Sequence, residues 1–142
     1  MKDVFRTRPG KRPPYPFVLE AVANVITETK PMFGSLALYV REKIVLILRE
    51  KRDGSADDGV WLATAVEYHE SLRKEFPNMR SVAVFGQKVS HWQVLAADTA
   101  DFEEAALHAC ELIAARDPRI GRVPKSRSTS SKAVTKRPSG PR

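Results

Sequence analysis

Between residues 17 and 116 the apolar side chains recur with two different periods, and the switches between those periods mark out the elements. Over residues 17–29, Val18, Ala21, Val22, Val25 and Ile26 keep the spacing of one buried helical stripe, and Pro31 is the expected stop. The period then falls to two. Leu36, Leu38 and Val40 alternate with Ala37 and Tyr39, which predicts a strand. The unbroken apolar run 44–48, bracketed by Lys43 and Arg49, predicts a second strand covered on both faces, with Arg41-Glu42 as the connection. A charged, aperiodic stretch with two glycines, residues 50–59, reads as a surface loop before a third strand at 60–63.

Thr64-Ala65-Val66-Glu67 has the spacing of a capping box, in which the hydroxyl accepts from a first-turn amide and the glutamate reaches back. The helix expected there puts Val66, His69, Leu72 and Phe76 on one face and ends at Pro77-Asn78. Val82 and Val84 alternate with Ala83 and Phe85 in a fourth strand. Residues 86–90 turn the chain, and Trp92, Val94 and Ala96 alternate with Gln93 and Leu95 in a fifth. Asp98 is the expected cap of a last helix that buries Phe102, Ala106, Ala109, Cys110 and Ile113 and closes at Asp117-Pro118. The fold class is α+β: an antiparallel sheet of about five strands and three helices in the order α-β-β-β-α-β-β-α, with the helices on one face.

Composition fits one domain of 142 residues with 42% apolar side chains. Residues 1–16 form a basic, proline-rich arm, 17–118 the domain, and 119–142 a Ser, Thr, Lys, Arg and Pro tail too poor in apolar residues to order itself. Charge follows the same division. The net +7 hides a body that holds 11 basic and 16 acidic residues between positions 14 and 118, flanked by strongly basic ends. Attraction to phosphate would therefore arise from the tail cations Arg119, Arg122, Lys125, Arg127, Lys132, Lys136 and Arg137. No run of about 20 apolar residues could cross a bilayer, and residues 1–6 lack the apolar segment of a secretory signal, so the expected location is the cytoplasm. The single Cys110, inside an apolar helical pattern, reads as a core residue.

Catalytic patterns break down residue by residue. His69-Glu70 opens like a zinc-protease helix, but the position for the second imidazole is Arg73. His91 and His108 lack partners at ligand spacing, and Gly86-Gln87-Lys88 lacks the remainder of a phosphate loop. Asp57-Asp58 and Glu103-Glu104 are sequence neighbours whose side chains diverge, which suits solvation or the helix dipole. Trp61, Phe85 and Trp92 read as packing aromatics, and Arg73, Lys74, Arg80 and Lys88 share their neighbourhood with Glu67, Glu70 and Glu75. No catalytic residue, metal site or cofactor is expected.

Pro31-Met32-Phe33-Gly34, followed by the strand pair at 36–40 and 44–48, then Gly59-Val60-Trp61-Leu62 and the late Trp92-Gln93-Val94-Leu95, resembles the N-terminal domain of the TfoX/Sxy competence regulators. That domain is similar to the small bacterial YjbR-like proteins. The resemblance spans about residues 17–116 and implies a non-enzymatic regulatory or binding module. Met32, Phe33 and Gly34 then have two readings: a corner that plugs the core edge, or the lining of a groove for a partner or ligand. The function expected is a binding or regulatory module with a protein partner and no membrane. The alternatives are weak nucleic-acid binding through the tails, and an enzyme using His69 with Glu70 or His91.

Overall fold

The computed structural model describes residues 13–52, 55–83 and 91–124. Helix α1 (Pro16–Ala21) is followed by four strands in sequence, β1 (Glu28–Met32), β2 (Ser35–Val40), β3 (Lys43–Arg49) and β4 (Gly59–Ala63). A 3-10 turn over Val66–Tyr68 leads into α2 (His69–Glu75). The short β5 (Arg80–Ser81), β6 (Trp92–Ala96) and α3 (Phe102–Ala114) complete the chain. The six strands form one antiparallel sheet in the order β1-β2-β3-β4-β6-β5.

The α+β class and antiparallel sheet stand as expected, with six strands where about five were predicted. The added strand is β1, from a segment read as a helix end and a stop. Its burial is too irregular for a strand pattern, but it lies at the edge, where Pro31 interrupts no inner ladder, and it pairs with β2 from Glu28 opposite Tyr39 to Met32 opposite Ser35. Helix α1 is correspondingly short. It opens on Pro16, whose missing amide proton costs nothing in a first turn. Thr64 is buried and forms no capping box, its hydroxyl lying 3.4 Å from the Ala65 carbonyl. Asp101, not Asp98, stands at the start of α3. The fourth strand expected at 82–85 lies earlier and is shorter: β5 is Arg80–Ser81, Val82 and Ala83 follow it outside any strand, and residues 84 and 85 lie outside the described residues, as does the turn 86–90.

Strand alternation sorts the core into two clusters. One contains Leu38, Leu46, Leu48, Val60, Leu62 and Leu95 from the sheet, with Val18 and Leu19 of α1, Leu72 of α2 and Ala106, Ala109 and Ile113 of α3. The other contains Ala37, Tyr39, Ile44, Ile47, Trp61, Ala63, Val82 and Val94, with Met32 and Trp92 packed against it and no helix residue among its members. A bulge between Leu38 and Tyr39 in the β2/β3 ladder takes up the odd residue of the 44–48 run, which is why Val45 faces the helices while Ile44 faces away.

The chain remains packed beyond α3. Ile120 is buried with the helix-side cluster. The amide of Gly121 donates to the Ala63 carbonyl (2.7 Å), and Arg122 exchanges two backbone hydrogen bonds with Ile44 (2.8 and 3.0 Å). The segment continues the sheet beside β3 where β4 has ended. Gly121 sits at φ +119°, a conformation costly for any residue with a Cβ, and it turns the chain so that Arg122 enters the sheet.

Candidate functional site

On the face that carries no helix residue in its cluster, a cavity of about 450 Å³ opens between the β1/β2 edge, the end of β4 and the returning segment 122–124. Met32, Tyr39, Ile44, Ala63 and Trp92 form its apolar and aromatic walls. Val123 and Pro124 close one side, and His91 and Arg122 bring the polar atoms. The volume lies in the range of small-molecule sites. Each wall follows from strand register: Tyr39 pairs with Ile44, Ala63 with Trp92, and Met32 lies two residues along from Lys30, whose ammonium sits 5.2 Å from the centre of the Tyr39 ring. Trp92 leans on Trp61 with ring centres 6.0 Å apart, and the Trp61 indole N–H is fixed by the Asp57 carbonyl at 2.9 Å. The walls are thus held from behind.

Arg122 is the unusual member. Its backbone is tied into the sheet, yet its Nη1 is buried with no hydrogen-bond partner among the described residues. Among the described residues, no carboxylate lines the cavity. A buried donor on a charged group without a partner is costly.

Two candidates that the sequence placed in different roles meet here. Met32, from the proposed partner groove, lines the cavity. Arg122, from the proposed nucleic-acid tail, lines it as well. Phe33 and Gly34 do not join them. They form the two-residue turn between β1 and β2, both at positive φ (53° and 80°), and Phe33 is 91% exposed. Arg119 is held against the body, bonding Asp117 at 2.8 Å, Glu75 at 2.7 Å and Ser71 at 2.7 Å. Lys125, Arg127, Lys132, Lys136 and Arg137 lie outside the described residues.

The other chemical candidates are absorbed by the fold. His69 is buried, and desolvation pushes its pKa down, with the Arg73 charge acting in the same direction; its Nε2 has no hydrogen-bond partner among the described residues, and Glu70 on the same helix is exposed. Asp57, expected in solvent, is buried. It accepts from the Ala83 amide at 2.9 Å and pairs with Arg80 at 3.3 Å. Asp58 pairs with Arg49 and accepts from the Arg52 amide at 2.8 Å, which organises the loop before β4. Burial pushes the Cys110 thiol up to about 12, as a core cysteine requires. No group of metal-ligating side chains occurs among the described residues, and no helix among them is long and apolar enough to cross a membrane.

No family model, curated protein or solved structure matches the chain.

A second cavity, about 330 Å³, lies under the β2/β3 turn and is edged by Arg41, Lys43 and Arg116 together with Glu42 and Asp117. Charges of both signs rim it, and Arg119 already holds Asp117. It therefore presents a weaker demand for a ligand than the cavity of Arg122.

Proposed function

We propose that this chain is a non-enzymatic binding module, in keeping with its resemblance to the TfoX N-terminal and YjbR-like domains, and that it binds through the cavity on the sheet face opposite the helices. The observation that carries the reading is the cavity itself, walled by Met32, Tyr39, Ile44, Ala63 and Trp92, with His91 and Arg122 also in its lining. Competence or transcriptional regulation would follow from what the bound state presents to a protein partner. Nucleic-acid binding through the tails loses two of its cations to the folded body, Arg119 to ion pairs and Arg122 to the cavity.

Methyl and amide chemical-shift mapping of the full chain against a mixed set of small acids, bases and neutral molecules tests this reading. Saturable shifts gathered at Met32, Ile44, Ala63 and Val123 support it. Shifts gathered instead on the helices, or no saturable shift at all, contradict it.

A further inference from the structure

We propose that the smaller cavity, under the β2/β3 turn, is a separate binding site for a small aliphatic anion, an acidic head group on a short hydrocarbon chain. The inference does not depend on the reading of the larger cavity. The apolar lining is Val40, Val45, Ile113 and Ile120, branched aliphatic side chains from β2, β3, α3 and the segment after α3, and no aromatic ring joins them among the described residues. The same cavity is bordered by three cations, Arg41, Lys43 and Arg116, and two carboxylates, Glu42 and Asp117. Arg119 already neutralises Asp117 at 2.8 Å. Three cations then face Glu42 alone, and none of the three makes a side-chain hydrogen bond or ion pair among the described residues.

Two of these cations stand where the backbone is costly. Arg41 and Arg116 hold φ +60° and +63°, left-handed positions in which a Cβ crowds the chain and glycine or asparagine is the usual residue. Arg41 opens the two-residue turn between Val40 and Lys43, and Arg116 reverses the chain at the end of α3. The fold gives neither guanidinium a partner. The last carbonyls of α3 are satisfied by backbone, Ile113 accepting from the Arg116 amide at 3.0 Å and Leu112 from the Asp117 amide at 2.9 Å. Two strained positions far apart in sequence thus bring unpaired arginines to one cavity, an arrangement that points to binding. Lys43 is held beside them, its Cδ 3.5 Å from the place a Cβ on Gly121 would take. A head group among the cations and a chain on the aliphatic residues would meet both halves of the lining, and about 330 Å³ is room for a short chain. Arg41, Lys43 and Arg116 are exposed, so they select the sign of the charge and leave carboxylate and phosphate both admissible.

The probes are hexanoate, hexyl phosphate, hexanol and hexylamine, titrated against the full chain by methyl NMR at low salt. Saturable shifts at Val40, Val45, Ile113 and Ile120 are expected with both anions, with hexanol weaker by about fivefold or more and hexylamine weaker still. Whichever anion binds more tightly names the head group. Glycine suits both left-handed positions, so the double variant Arg41→Gly, Arg116→Gly should melt no lower than the unaltered chain while bringing hexanoate and hexanol within about twofold of each other. Hexanol or hexylamine that binds as tightly as hexanoate overturns the ligand class. A double variant that melts lower, or keeps the full preference for the anion, returns the arginines to the fold and overturns the proposal. No saturable shift at these methyls with either anion, or shifts gathered instead at Met32, Ile44, Ala63 and Val123, overturns the smaller cavity as the site.

Discussion

The two faces of this sheet are made by alternate residues of the same strands, yet they are finished differently. On the helix side, Leu46, Leu48, Val60 and Leu62 meet three helices in an apolar interior, edged by Tyr15 stacked edge-on against Phe102 at 5.2 Å. Gln93, the polar residue that points that way, is held by Arg73 at 2.9 Å and Ser81 at 3.2 Å. On the opposite face Tyr39, Trp61 and Trp92 replace the leucines, a cavity remains, and a nitrogen of Arg122 is buried without a hydrogen-bond partner among the described residues. Strand alternation allows this division, because a change on one face leaves the packing of the other intact. The contrast teaches that one side closes into a packed interior while the other keeps a cavity, the face proposed above for binding.

Truncation should expose that contrast most strongly. Phe76, 1% exposed between α2 and α3, sits in the helix-side cluster, and Phe76→Ala should cost about 3–5 kcal/mol by urea denaturation. Met32→Ala, at the cavity wall, should cost about 1 kcal/mol or less, since the side chain is only half-buried and borders an existing void. Equal costs would erase the distinction between the faces.

Next in size is the turn beside the cavity. Phe33 holds φ +53° with its ring in solvent, so Phe33→Gly should stabilise the chain by about 1 kcal/mol while leaving probe affinity at the cavity unchanged. A loss of probe affinity would place Phe33 in the site after all.

The smallest effect is in pH. His108 donates to Glu75 at 2.9 Å, and that hydrogen bond raises its pKa above the usual 6.5, with Glu111 adding to it. Its stabilisation is complete below pH 6.5 and is lost as the pH rises through the raised folded value. His69 has the opposite sign. Desolvation, with the charges of Arg73 and His91, lowers its folded pKa, so its contribution is complete above pH 6.5 and declines as the pH falls below it. The urea midpoint should therefore peak near pH 6.5, and His108→Gln should flatten the alkaline limb alone. The limb is shallow, because the His108 side chain is 39% exposed and its ion pair is screened. Glu75 and Asp117, both held below the ordinary carboxylate range, act only in the more acid window below about pH 4.5.

Much of the helix side was legible from local pattern. The stripe of α3 and the alternation of β2 and β6 are strong periodic signals, and each side chain expected to be buried in α3 is buried. β1 was not, because Glu28, Thr29, Lys30 and Pro31 carry no apolar alternation and become a strand only through pairing with β2. The site was half legible. Met32 was singled out as a groove residue and Arg122 as a cation, but their meeting depends on the return of residues 120–122 to β3 and β4, across some 80 positions of sequence between Ile44 and Arg122. One signal was available in the strands: Tyr39, Trp61 and Trp92 share the parity opposite Leu38, Leu62 and Leu95, so the second face was aromatic before it was known to be hollow.

The most direct test of a face arranged for recognition is the urea denaturation of Arg122→Met beside the unaltered chain. If Arg122 serves a ligand, removing its unpaired buried nitrogen leaves stability equal or raises it by up to about 1 kcal/mol. A loss of more than about 1 kcal/mol would make Arg122 part of what holds the fold together and would contradict the account.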